Sequence, residues 1–121
     1  MRHAAVLLLL SVLASPPARS APETTQVFLE NEQLNYIGGV NEDANKRLFA
    51  LYDSLAVKPT VLSIRSKGGP VTAGMPLGRW VRERGLDIKV MEYCMSSCAN
   101  YVFPAARRKV VSNFAVIGYH G

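Results

Sequence analysis

The hydrophobic pattern of the chain alternates between extended and helical segments. Two short β-prone runs, Gln26 to Leu29 and Leu34 to Ile37, are separated by the polar stretch Glu30 to Gln33, which predicts two strands joined by a turn. Asn41 then offers a helix cap, because its short side chain can accept a hydrogen bond from a free backbone amide. Apolar residues recur at helical spacing after it, at Ala44, Leu48, Leu51, Tyr52 and Leu55.

The rest of the chain continues this alternation. The predicted elements are a strand over Thr60 to Ile64, a helix over Val71 to Arg84, a strand over Ile88 to Tyr93, a helix over Ser97 to Ala106, and closing strands over Lys109 to Val111 and Ala115 to Tyr119. Pro76 is expected to delay or kink the second helix, because proline has no amide hydrogen. Strands that alternate with helices predict an α/β fold with a mostly parallel sheet.

The first twenty residues have the layout of a secretory signal peptide. A basic start at Arg2 precedes an apolar run from Ala4 to Ala14, and small residues follow at Ala18 and Ser20. The run is about 11 residues long, whereas a helix needs roughly 20 to cross a bilayer. We therefore expect a leader over residues 1–20, no stable membrane anchor, and an exported protein, periplasmic or secreted, in which residues 21–121 form one small domain.

Charge adds little to this interpretation. The formal net charge is +5, and loss of Arg2 and Arg19 with the leader removes two positive charges and no acid, which leaves +3. The one basic cluster, Arg107 to Lys109, has no interleaved aromatic residues, which a single-strand nucleic-acid binder would need for stacking. We interpret this cluster as a solvated helix exit and expect no nucleic-acid partner.

Two strand-to-helix junctions carry the residues that could perform chemistry. One is Ser66 to Gly69, where two glycines allow unusual backbone angles and expose amide hydrogens. The other is Cys94 to Tyr101, where a serine would be exposed beside a helix N-terminus that stabilises negative charge. Each also has a plain structural interpretation, a tight turn for the first and helix capping by Ser96 or Ser97 for the second.

Three segments in order resemble the proteolytic subunit of the Clp protease. They read IRSKGGPVTAGMPL, YCMSSCANYVF and AVIGYHG. The resemblance implies the Clp protease and crotonase type of fold, with repeated β-β-α units and a mostly parallel sheet. It also implies Ser97 as nucleophile, His120 as general base, and the backbone amides of Gly69 and Cys98 as the oxyanion hole. A serine hydroxyl needs such a base within hydrogen-bond reach, and a developing oxyanion needs preorganised donors.

The chain also departs from that family. The family's catalytic acid follows the histidine at a distance that lies beyond Gly121, so we expect the C-terminal part of the fold to be missing from this chain. Lys67 occupies the position of a usual proline, and cysteines bracket the serines. These differences predict an exported relative. A homo-oligomer is possible, but the family's self-compartmentalising ring and its unfoldase partner are not assumed.

The two cysteines, Cys94 and Cys98, predict a disulfide, because cysteines of exported proteins are usually joined. Their spacing is awkward on a continuous helix but feasible across a strand-to-helix corner. Two cysteines and one histidine after the leader leave too few ligands for a recognisable metal site, so neither a metal nor another cofactor is expected.

Three functions remain open from the sequence. The leading hypothesis is an exported serine hydrolase that acts on a peptide or protein substrate, with Ser97 and His120 as catalytic residues. The alternatives are a catalytically silent binding protein on the same fold and an acyl-handling enzyme of the crotonase type, which would hold a thioester oxygen with paired amides. The last has no need of a serine nucleophile, so the serine and histidine argue against it.

Overall fold

A computed structural model describes residues 4–16 and 23–120. Its helices are α1 (Glu42–Ser54) and α2 (Val71–Arg84), and its strands are β1 (Gln26–Glu30), β2 (Gln33–Ile37), β3 (Val61–Arg65), β4 (Asp87–Val90), β5 (Tyr93–Met95), β6 (Lys109–Val111) and β7 (Val116–Gly118). A π-helical turn, Cys98–Val102, and a 3-10 turn, Phe103–Ala105, lie between β5 and β6.

The strands form two sheets. The larger has the order β1-β2-β3-β4-β6, in which β1 is antiparallel to β2 and every other pair is parallel. In the smaller sheet β5 runs parallel to β7. A single parallel bridge between Ser66 and Cys94 connects the two. The predicted α/β fold with a mostly parallel sheet is thus confirmed.

Local sequence explains the first three elements. Asn31 and Glu32 adopt positive φ angles of 52° and 61°, the combination that a tight two-residue hairpin between β1 and β2 requires. Asn41 caps α1 as predicted, since its side-chain oxygen accepts the Ala44 amide hydrogen at 2.8 Å. Glu42 and Asp43 place negative charge in the first turn, where it complements the helix dipole.

A buried polar connection fixes α1 and α2 against the sheet. The Tyr36 hydroxyl, on β2, donates to Asn45 Oδ1 of α1 at 3.1 Å and accepts the Asn41 amide hydrogen at 3.2 Å. Asn45 Nδ2 in turn donates to the Ala73 carbonyl of α2 at 2.9 Å. Tyr36 and Asn45 are both buried, so their polar atoms need hydrogen-bond partners within the protein. This connection holds the first turn of α2 in place.

Two predictions about α2 and the following strand need correction. The helix is not delayed by Pro76, because it begins at Val71 and continues through the proline to Arg84, with Gly85 in the left-handed conformation after it. The predicted single strand from Ile88 to Tyr93 is wrong: the chain leaves the larger sheet after Val90 and re-enters strand structure as β5 in the smaller one. The exposed residues Met91 and Glu92 make the transition.

The segment predicted as a helix from Ser97 to Ala106 is helical, but it is not a regular α-helix. The Phe103 amide donates to the Cys98 carbonyl, five residues back, and the 3-10 turn follows. Pro104 supplies a physical reason, since it lacks an amide hydrogen and its ring would crowd the Asn100 carbonyl in an α-helix. Wide turns of this kind are frequent at functional sites.

The N-terminal segment is separate from this core. Residues 4–16 contain no helix or strand, and all of their side chains are exposed. The predicted cleavage position after Ser20 lies outside the described residues. Among the helices that the structure does describe, none is long and apolar enough to cross a membrane.

Tyr36 generates a prediction about alkaline pH. Burial raises the pKa of its hydroxyl to about 12, although the Asn41 amide and the charge of Arg47 act in the opposite direction. Folding therefore favours the neutral Tyr36 hydroxyl. Its contribution to the free energy of unfolding is complete below about pH 10, the ordinary pKa of a tyrosine in the unfolded chain, and is lost as the pH rises through the pKa of the folded protein. The loss is about 2 kcal/mol at pH 12. The free energy of unfolding, measured in urea between pH 9 and 12, should fall less steeply with pH in Tyr36→Phe than in the wild type, and the variant should be less stable at pH 7. An equally steep fall in the variant would contradict the role given to Tyr36.

Candidate active site

The parallel pairing of β5 with β7 brings a serine and a histidine together. Met95 is paired with Gly118, so the residues that leave these strands at their carboxyl ends emerge side by side. Ser96 Oγ lies 2.7 Å from His120 Nε2. The Ser96 amide also donates to the Gly118 carbonyl at 2.8 Å, and Asn100 Nδ2 donates to the His120 carbonyl at 2.9 Å. Both members of the pair are therefore held through their backbones as well.

Ser96 has an unusual backbone conformation. Its φ angle is 55°, in the left-handed region that residues other than glycine rarely occupy. Such a conformation costs on the order of 1–3 kcal/mol and persists only where the surroundings enforce it. A sharp turn of this kind between a strand and a helix exposes a serine hydroxyl, as in the nucleophile turns of hydrolases. The half-buried Ser96 is presented to His120 in this way.

Ser97 has a different environment. It is only 2% exposed, and its Oγ accepts the Gly69 amide hydrogen at 2.9 Å. A methyl group on Gly74 would lie 2.9 Å from Ser97 Cβ, so this side chain fills the space that the glycine leaves. The expected pairing of Ser97 with His120 is therefore not the one in the structure. The left-handed turn at Ser96 directs that side chain toward β7 and the next one, Ser97, toward α2.

The two expected oxyanion donors also lie in different places. Gly69 is exposed and borders the same cleft as Ser96 and His120, but its amide hydrogen is already bonded to Ser97 Oγ. Cys98 is fully buried and does not line the cleft. The amide that directly follows Ser96 belongs to Ser97. Gly68 donates its own amide hydrogen to Ser66 Oγ at 3.0 Å, so it is engaged in the turn.

The predicted disulfide between Cys94 and Cys98 is confirmed. The two Cα atoms are 5.3 Å apart, and both residues are completely buried. The bridge closes a short loop around the Ser96 turn. It indicates an oxidising environment such as exported proteins meet.

Seven of the described residues border the cleft, which has a volume of about 340 Å³: Gly69, Val71, Ser96, Ser97, Asn100, Tyr101 and His120. None of them carries a carboxylate. Within residues 23–120, no carboxylate is hydrogen-bonded to the His120 ring. Nor does any group of three or more histidine, cysteine or acidic side chains in the described part of the chain offer a metal site.

A larger depression, about 720 Å³, lies elsewhere on the surface and includes Thr25, Arg47, Arg65 and Tyr93. It has no nucleophile beside a base, and Arg47 is already engaged with Asp43 and the Thr25 carbonyl. We place the candidate site at the smaller cleft, because chemistry depends on the juxtaposed groups and not on volume.

Comparison of the chain with protein-family models, with curated proteins and with solved structures gave no match.

Packing at the cleft yields a prediction for Gly74. An alanine in a helix is normally favoured over glycine by about 1 kcal/mol, but here its methyl group would press on Ser97. Crowding of this kind typically costs about 1–3 kcal/mol, which offsets the helix gain and leaves a net loss, so Gly74→Ala should lower the free energy of unfolding by up to about 2 kcal/mol. The matched control is Gly39→Ala, whose methyl group would meet only the Gly68 carbonyl oxygen at an ordinary 3.6 Å. Equal stability of the two variants in urea unfolding would contradict this account of Ser97.

Proposed function

We propose that the protein is an exported serine hydrolase, a peptidase, in which Ser96 is the nucleophile and His120 the general base. The single observation that carries the proposal is the 2.7 Å contact between Ser96 Oγ and His120 Nε2 at the carboxyl ends of two paired strands. A hydroxyl is a weak nucleophile until a neighbouring base accepts its proton, and this distance lies within the range for such transfer. We therefore propose Ser96 as the nucleophile in place of Ser97, which the sequence predicted.

The reaction would follow the usual acyl-transfer course. Ser96 Oγ attacks the carbonyl carbon of the scissile bond while its proton passes to His120 Nε2. The same proton is then given to the leaving amine as the bond breaks and the acyl-serine forms. Water, deprotonated by His120, attacks the acyl carbon in the second half, and Ser96 recovers its proton. Because Nε2 faces the serine, Nδ1 is the ring atom that an orienting acid would contact, and the family resemblance implies that acid at a later position.

The oxyanion would be held by the amides of Gly69 and Ser97. The Ser97 amide follows the nucleophile directly, which is the position that supplies one donor in many serine hydrolases. Gly69 also lines the cleft, and its amide hydrogen, bonded to Ser97 Oγ in the free protein, would be shared with the substrate oxygen. Each such donor is worth about 10²–10³ in rate in enzymes where it has been removed.

The resemblance to the Clp protease family supports a peptide or protein substrate and the repeated β-β-α type of fold. The buried disulfide supports a periplasmic or secreted location. A catalytically silent binding protein is the second candidate. It is favoured by the occupied Gly69 amide and by the lack of a carboxylate on the His120 ring within the described residues.

Covalent labelling distinguishes these assignments. A fluorophosphonate probe applied to the disulfide-containing protein should label one serine, and Ser96→Ala should abolish the signal while Ser97→Ala retains it. His120→Ala should slow labelling by about 10²–10⁴-fold, because the base is lost. Unfolding curves of each variant control for folding.

Two other results of the labelling experiment would each support a different assignment. Labelling that survives in Ser96→Ala and disappears in Ser97→Ala would restore the sequence-based nucleophile. A well-folded wild-type protein that is never labelled would support the silent binding protein.

A further inference from the structure

A second groove continues from the candidate cleft along α2. It has a volume of about 230 Å³ and is lined by Met75, Gly78, Arg79, Arg82, Tyr101 and Ala105. Tyr101 borders both the cleft and this groove. The cleft and the groove therefore lie next to each other at Tyr101, and a polypeptide that extends from Ser96 past Tyr101 would reach the groove.

Helical periodicity aligns the two sites on one face of α2. Val71 borders the cleft, and Met75, Arg79 and Arg82 follow it by four, eight and eleven residues. The serine turn packs against α2 at Gly74, and with a rise of 1.5 Å per residue Arg79 and Arg82 lie about 7.5 and 12 Å further along the helix than Gly74. An extended peptide covers these distances in about two to four residues, at 3.3 Å each.

The charges in the groove are uncompensated. Arg79 and Arg82 are both exposed, and neither forms a salt bridge within residues 23–120. Four other arginines do have acidic partners: Arg47, Arg65, Arg84 and Arg107. Arg82 lies in the last turn of α2, where a cation complements the helix dipole, but Arg79 lies about a turn earlier. Like charges three residues apart repel each other, so the pair does not stabilise the helix on its own.

The groove has a closely packed base. Gly78 packs directly against the Tyr101 carbonyl, where a methyl group would clash, so α2 and the turn that carries Tyr101 meet there. Met75, 47% exposed, adds an apolar side chain on the same face of α2 as the two arginines. Among residues 23–120, no acidic residue lines the groove to compete for the arginines.

We propose that this groove selects acidic polypeptide substrates, with Arg79 and Arg82 binding one or two carboxylates about two to four residues from the bond that Ser96 attacks. The inference rests on the proposed function, since it identifies the substrate class of the same site. Arginine is suited to this role because its planar donors pair with carboxylates in a bidentate geometry.

Binding to a catalytically disabled protein tests the groove without requiring turnover. The protein carries Ser96→Ala, and the probes are fluorescein-labelled eleven-residue peptides of alanine and serine. One has Glu-Glu near its amino end, one has Glu-Glu near its carboxyl end, and each has a Gln-Gln counterpart. Fluorescence polarisation at low salt should show that one Glu-Glu probe binds about tenfold more tightly than its counterpart, and the preference should fall with added salt.

Matched variants locate the effect. The double variant Arg79→Gln/Arg82→Gln should reduce the tenfold preference to nearly none. The control double variant Arg108→Gln/Lys46→Gln, which neutralises two other exposed cations, should retain it. This control removes the same charge outside the groove. The single variants Arg79→Gln and Arg82→Gln, each checked by thermal unfolding, keep the test valid if the double variant folds poorly.

Equal affinity for the Glu-Glu and Gln-Gln probes would overturn the proposal, as would an equal loss in the control variant. These outcomes are independent of catalysis. Arginine-dependent binding by a protein that fluorophosphonate never labels would retain the groove and reject the hydrolase. Labelling at Ser96 without any acidic preference would do the reverse.

Discussion

Close contact between the Gly68 turn and the Met95–Ser97 turn determines the geometry of the cleft. Gly68 has a φ angle of 91°, and a methyl group on it would lie 2.6 Å from the Met95 carbonyl oxygen. Ser66 joins the same two turns, because its amide donates to Tyr93 and its carbonyl accepts from Met95. A side chain at Gly68 would therefore separate the two turns, and with them Gly69 from Ser97.

Elements whose causes are local could be predicted from the sequence. The asparagine cap of α1 and the left-handed Gly85 after α2 are properties of a few neighbouring residues, and the helices begin and end close to the predicted positions. The strand predicted over Ile88 to Tyr93 failed because its division depends on distant partners. Asp87 to Val90 pairs with β3 and β6, while Tyr93 to Met95 pairs with β7, and no local pattern distinguishes these partners.

The different environments of the two adjacent serines also depend on distant contacts. Ser96 and Ser97 are chemically identical and both follow a strand, and the family resemblance assigned the nucleophile to Ser97. In the structure the hydroxyl beside His120 is that of Ser96. The positive φ at Ser96 turns this side chain toward the histidine, and contacts with Gly118 and Asn100 sustain that conformation. The empty space at Gly74, 23 residues before Ser97, receives the other side chain.

The disulfide acts on the same conformation. A loop closed between residues only 4 positions apart restricts the unfolded chain little, so the entropic stabilisation falls below the roughly 3 kcal/mol expected for a 15-residue loop. Its main effect is local. Cys94, in β5, pairs with Ile117 of β7 and forms the β-bridge with Ser66. Cys98 begins the π-helical turn, so the disulfide joins the two ends of the strained Ser96 turn. The residue that bears the proposed nucleophile is thus held by paired strands on one side and a covalent bond across its turn.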